Sequence, residues 1–258
     1  MLRTSSLESL NTNELAVAGD TEVSSQTFVD LAEKTRVDGE GLKHSIYLTG
    51  NIKSWWVHEV WGPVEKFFVK TGVHPNTITT IGFVLTCLSA SLVAMNNLVV
   101  GGWLIFIAAS FDFLDGRVAR ITNQQSRAGA FFDSVMDRYM DSAILFGLAV
   151  LFYDSWVIIL VFLAFLGSMT TSYIRAKAES IGIKCSGGAM QRPERILYIG
   201  TGCVISGYYE CLRYPFVSAD WKPVHYPLVL ALVFVALISN KVALQRFREA
   251  FLALKKNS

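Results

Sequence analysis

Residues 112–137 read D-F-L-D-G-R-V-A-R-I-T-N-Q-Q-S-R-A-G-A-F-F-D-S-V-M-D and hold four aspartates in two pairs. Asp112 and Asp115 are spaced i,i+3, and Asp133 and Asp137 i,i+4, so on a helix each pair projects from one face about one turn apart. An all-carboxylate set offers hard oxygen ligands, which suit Mg²⁺, Mn²⁺ or Ca²⁺ better than zinc or copper. Four carboxylates from two helices can hold two divalent ions, the arrangement used for phosphoryl-type displacements. Gly116 follows Asp115 directly, where a helical glycine is unfavourable by about 1 kcal/mol against alanine. That cost makes sense if a bulky group must approach the backbone, and Ala119 one turn on keeps the same face open. Arg120 and Arg127 add cations where a phosphate would sit, and Ser126 can cap the next helix or donate to that phosphate. Asp141, one turn beyond Asp137, reads as a carboxylate supporting the site from behind rather than as a ligand.

The elements that must carry these groups are membrane helices. GGWLIFIAASF precedes the first pair and SAILFGLAVLF follows the second. A charge at the centre of a membrane helix costs roughly 2.5–3.5 kcal/mol on insertion scales, so something cationic has to hold the carboxylates. The charged fraction is 17%, below the roughly 25% of ordinary globular chains. Apolar runs of about 20 residues, the length needed to cross a core of about 30 Å, fall near 77–95, 99–121, 129–153, 156–180, 194–214 and 226–246. The expected fold is an all-α integral membrane protein with six transmembrane helices preceded by an interfacial amphipathic helix.

That preceding helix is expected within 46–73, where Trp55, Trp56, Trp61, Phe67 and Phe68 alternate with Lys53, Lys66 and Lys70, and Gly62-Pro63 bends or restarts it. Residues 1–45 are polar, without the basic and apolar regions of a signal peptide, and read as a mobile tail. His74-Pro75-Asn76-Thr77 is a turn and helix start with Asn76 or Thr77 as cap, 74–248 forms the six-helix unit, and 249–258 is a basic tail.

Basic residues are strongly asymmetric about these spans. One side collects Lys53, Lys66, Lys70, Arg117, Arg120, Arg127, Arg175, Lys177, Lys184, Arg192, Arg195 and the C-terminal basic residues, whereas the other has only Arg213 and Lys222. By the positive-inside rule both termini and the aspartates face the cytoplasm. A net charge of +2 without a basic block interleaved with aromatics gives no footprint for nucleic acid. Cys87, Cys185, Cys203 and Cys211 lack C-x-x-C spacing, so neither zinc nor a disulfide framework is indicated.

The aspartate stretch resembles the signature of the CDP-alcohol phosphotransferases, D-x2-D-G-x2-A-R-x8-G-x3-D-x3-D. Asp112, Asp115, Gly116, Ala119, Arg120, Gly129, Asp133 and Asp137 match it at every spacing, and the wider likeness covers about residues 46–248. The resemblance implies that the four aspartates bind two divalent cations, Mg or Mn, bridging the pyrophosphate of CDP-diacylglycerol. It implies further that Gly116, Ala119 and Gly129 make room for the CDP-lipid, that Arg120 and Ser126 contact its phosphates, and that Asn76 and Thr79 touch the nucleotide. Asp137 would be the general base that takes the acceptor's proton, and the enzyme would be a homodimer. Gly101-Gly102 and other small residues would permit close helix contact.

Ser172, Arg175 and Lys177, with Arg192 and Arg195 after them, read on their own as topology determinants and headgroup contacts at a membrane edge. They are also similar to the S-Y-V-K-A-R-A-E … E-R-x-E-R pattern of the phosphatidylinositol-phosphate-synthase branch, with Lys and Arg exchanged at 175 and 177. That similarity implies an acceptor site for a phosphorylated polyol, inositol phosphate first and glycerol 3-phosphate as its nearest competitor. A divalent-cation or proton-coupled transporter is the reading from another class. It would call for an inverted repeat, and the D-x2-D-G pattern does not recur.

Overall fold

The computed structural model describes residues 62–183, 190–213 and 225–257. The expectations for the N-terminal tail, for Lys53, Trp55, Trp56 and Trp61, and for Lys184 and Lys222 fall outside them.

The described residues form seven helices and no strand. They are α1 (Gly62–Thr71), α2 (Pro75–Ala94), α3 (Leu98–Ile121), α4 (Arg127–Leu151), α5 (Val157–Ser180), α6 (Arg192–Arg213) and α7 (Tyr226–Asn257). Helix α1 is described from Gly62 onward, so the expected bend or restart at Gly62-Pro63 falls at the edge of the described residues. The cap of α2 differs from expectation: His74, extended at ψ 137° as a residue before proline prefers to be, accepts from the Asn76 N–H at 3.2 Å, and Pro75 opens the helix. Ser126 caps α4 as expected, accepting from the Gly129 N–H at 2.9 Å. Helix α7 runs to Asn257 instead of stopping near 246, so most of the expected basic tail is helical. Its last turns, R-F-R-E-A-F-L-A-L-K-K, contain no breaker and are rich in strong helix formers.

Among the described residues, four helices are long and apolar enough to cross a membrane: α2, α3, α5 and α7. Helices α4 and α6 are long enough but more polar, because charge runs from the start to the middle of α4 (Arg127, Asp133, Asp137, Arg138 and Asp141) and opens α6 (Arg192, Glu194 and Arg195).

Helices α2 to α7 close into a ring in the order α2-α3-α6-α7-α5-α4, with α4 returning to α2, and α1 packs outside against α3. Ile105, Leu145, Leu148, Val161, Cys203, Leu232 and Val235 form a common core among these helices. A second, smaller cluster of Ile78, Leu114 and Val118 receives Val64 and Phe68 of α1. Small residues let the backbones meet, as membrane helices require when apolar burial alone gives little drive. Ser89 Oγ donates to the Gly101 carbonyl at 2.8 Å, joining α2 to α3. At Gly147 of α4 an added Cβ would come within 2.4 Å of the Ala90 carbonyl oxygen of α2. Backbone cannot yield there as a flexible side chain can, so Gly147→Val is expected to cost about 3 kcal/mol or more. Thermal unfolding in detergent should show a large fall in Tm, and an unchanged Tm would mean that α2 and α4 do not pack this closely.

Alternating helix directions bring the start of α2, the end of α3, the start of α4 and the start of α6 to one end of the bundle. The aspartates lie there.

Candidate active site

Asp112 on α3 and Asp133 and Asp137 on α4 converge, each offering a carboxylate oxygen within 4.8 Å of the others. The i,i+4 spacing on α4 and the packing of the bundle explain the meeting. Asp115 stands apart from this trio. It points to α2, where the buried Thr79 hydroxyl donates to its Oδ2 while also reaching the Pro75 carbonyl at 3.2 Å. Thr79, expected as a nucleotide contact, is thus also a partner of an aspartate.

The cation on the trio comes from far along the chain. Arg192, the first residue of α6, places Nη1 2.5 Å from Asp112 Oδ2 and 2.6 Å from Asp137 Oδ1. Its Nε lies 3.2 Å from Asp141 Oδ1, and Arg195 Nη2 takes the other oxygen, Asp141 Oδ2, at 2.6 Å. The nearer arginines are engaged elsewhere or exposed. Arg117 pairs with the buried Glu65 of α1 at 2.5 Å and lies over the Phe113 ring, Arg138 donates to the Ser134 carbonyl, and Arg120 is exposed.

The donor set fits divalent metal. Only Asp112 and Asp137 of the three converging carboxylates pair with the guanidinium, and Asp112 Oδ1 is buried without a hydrogen-bond partner, a costly state for a lone carboxylate oxygen. Hard cations take such oxygens.

Around the carboxylates, Gly116 is exposed, and a Cβ built on it would meet no protein atom within 4 Å. The glycine therefore answers no packing need of the chain itself, and its open backbone adjoins Asp115. Gly129, by contrast, sits where a Cβ would lie 3.1 Å from Ser126 Oγ and 3.6 Å from Asn76 Oδ1, so the starts of α2 and α4 are tightly joined. Ala119 is half-buried. Of the expected acceptor residues, Arg192 and Arg195 reach the aspartates. Arg175 and Lys177 lie exposed on the last turns of α5, where Arg175 pairs with Glu179 at 2.9 Å, and Ser172 is half-buried one turn earlier. Sequence reasoning placed Asp141 behind the site but missed that it joins both α6 arginines. It also missed the Glu65–Arg117 pair that ties α1 to α3.

Residues 72–238 match the CDP-alcohol phosphatidyltransferase family. A phosphatidylinositol phosphate synthase of Mycobacteroides abscessus is 28% identical over 205 residues, covering 78% of this chain and 90% of that protein. An archaetidylinositol phosphate synthase of Pyrococcus horikoshii is 36% identical over 137 residues, 53% of this chain and 72% of the relative. The crystal structure of the Mycobacterium tuberculosis phosphatidylinositol phosphate synthase with CDP-DAG bound superposes with a TM-score of 0.62 at 28% identity, covering 73% of this chain and 92% of that one. The same enzyme in complex with manganese and citrate gives 0.64, with 73% and 88% covered. The chain belongs to the CDP-alcohol phosphatidyltransferase family. It is an integral-membrane transferase of phospholipid synthesis.

Proposed function

We propose that this enzyme transfers a phosphatidyl group from CDP-diacylglycerol to a hydroxyl of inositol phosphate, releasing CMP. The observation that carries this reading is the convergence of Asp112, Asp133 and Asp137 with Arg192, beside the open backbone at Gly116. Manganese in one solved structure of the mycobacterial relative and CDP-DAG in another support the metal and the donor.

Asp112, Asp133 and Asp137, with Asp115 alongside, are the residues to hold two Mg or Mn ions. Those ions would supply charge stabilisation to the attacking and leaving oxygens. Gly116, Ala119 and Gly129 leave space for the CDP-lipid, Asn76 and Thr79 border the nucleotide at the start of α2, and Arg120 and Ser126 face its phosphates. Asp137 Oδ accepts the proton from the acceptor hydroxyl. The acceptor oxygen then attacks the lipid-side phosphorus, a P–O bond to it forms, the pyrophosphate P–O bond breaks, and CMP leaves with the electron pair. A carboxylate is a weak base, so holding the hydroxyl in line supplies much of the rate. Arg192 and Arg195, with Ser172, Arg175 and Lys177, are the groups to hold the acceptor's phosphate, for which several cations suit a dianion.

The reading includes six spans, with α4 and α6 joining the four most apolar helices, and it sets the site and both termini on the cytoplasmic side. The one-sided distribution of basic residues supports that orientation. The six-helix unit then spans 74–248, and the family likeness supports a homodimer.

Purified protein given CDP-diacylglycerol and Mg²⁺ should release CMP with inositol 1-phosphate, but not with inositol or serine, and a chelator should abolish the release. Release with glycerol 3-phosphate alone would keep the chemistry and overturn the acceptor. Release undiminished by chelator would overturn the metal site.

A further inference from the structure

We propose that Asp141, which lies outside the eight-residue signature, is a positioning residue that sets Arg192 and Arg195 as a pair and so places the acceptor's phosphate. The inference rests on the acceptor reading above and goes beyond it, because it concerns a carboxylate that need touch neither metal nor substrate.

Asp141 lies one turn beyond Asp137 on α4, and its side chain is only 10% exposed. Each of its oxygens takes a different arginine: Oδ1 faces Arg192 Nε at 3.2 Å, and Oδ2 faces Arg195 Nη2 at 2.6 Å. The two arginines are three residues apart on α6 and therefore share a face. One carboxylate thus fixes two guanidinium groups relative to each other and to α4.

The pair is also largely buried. A cavity of about 10 Å³, room for about one water molecule, adjoins it and is lined by Asp141 and Arg195 themselves with Ile144, Leu145, Ile199 and Ser168. Arg195 is 5% exposed, so without Asp141 its charge would be buried beside an apolar wall. Arg192 differs, because it has Asp112 and Asp137 to fall back on. Its Nε bond to Asp141 holds the guanidinium between the metal-binding carboxylates and Arg195. Losing that bond would leave the guanidinium held through Nη1 alone and free to turn about that contact. Two consequences of removing the Asp141 charge oppose each other. Freed arginines carry more net positive charge toward a phosphate, but they are no longer aimed. Loss of aim prevails here because one arginine has rival carboxylates and the other is buried.

Asp141→Asn is therefore expected to raise the KM for inositol 1-phosphate by about 10–100-fold, the usual cost of removing a partner that orients a ligand-binding group. KM for CDP-diacylglycerol should stay within about twofold. Calorimetry with inositol 1-phosphate should show the same loss of affinity without turnover. Asp141→Glu, which keeps the charge one methylene further out, should raise the acceptor KM by a smaller factor, and it serves if the asparagine variant does not fold. An unchanged or lowered acceptor KM in either folded variant overturns the inference, as does a fall in kcat with both KM values unchanged, which is what a purely structural residue would give. If the wild type accepts glycerol 3-phosphate and not inositol phosphate, the acceptor reading fails, and Asp141 is judged by the same comparison with glycerol 3-phosphate.

Discussion

Asp137→Asn should lower CMP release at saturating substrate by roughly 10²–10⁴-fold, the contribution expected of a positioned general base. Asparagine has nearly the same shape but cannot take the acceptor's proton. The variant should fold, because Arg192 keeps Asp112 at 2.5 Å and Asp141 at 3.2 Å when its contact to residue 137 is weakened. Turnover measured alongside KM for both substrates makes the test. Activity above about a tenth of wild type would show that another group takes the proton.

Gly116→Leu should separate stability from activity. A Cβ at Gly116 meets nothing within 4 Å, and the residue is an exposed position inside α3, so leucine should stabilise the helix by about 0.8 kcal/mol. The same side chain would occupy the space kept for the CDP-lipid beside Asp115, and displacing that substrate by about 1 Å should cost about 10²-fold in kcat/KM. The expected result is a protein with a slightly higher Tm and far lower activity. Full activity would mean that the lipid nucleotide lies elsewhere.

The parts of this molecule legible in the sequence are those whose signal is local. Six apolar runs give six long helices with ends within a few residues of expectation, except that α7 continues to Asn257 because nothing after the span stops it. Ser126 as a cap needed only its own turn. His74 did not stand out, because Asn and Thr are better caps and only the extended backbone imposed by Pro75 puts the imidazole in place. In the site, helical spacing was enough to join Asp133 to Asp137. It could not tell that Asp115, one turn from Asp112, would instead turn to Thr79 across a helix interface. Nor could spacing reveal that the cation on Asp112 comes from Arg192, 80 residues away, while Arg117 and Arg138 close by serve Glu65 and the helix's own backbone.

The ring of helices also sets an order of events during synthesis. A ribosome delivers α3 and α4 before α6, since chains are made from the N-terminus. The carboxylates of Asp112, Asp137 and Asp141 therefore reach the membrane edge before their guanidinium partners on α6 exist. Until then α4, with three aspartates against two arginines, is held less firmly in the bilayer. Arrival of the α6 arginines balances the charge and closes α6 between α3 and α7. The catalytic end is thus electrically complete only once the start of α6 has been made, and a nascent chain stalled before Arg192 would carry Asp112, Asp137 and Asp141 without their arginine partners.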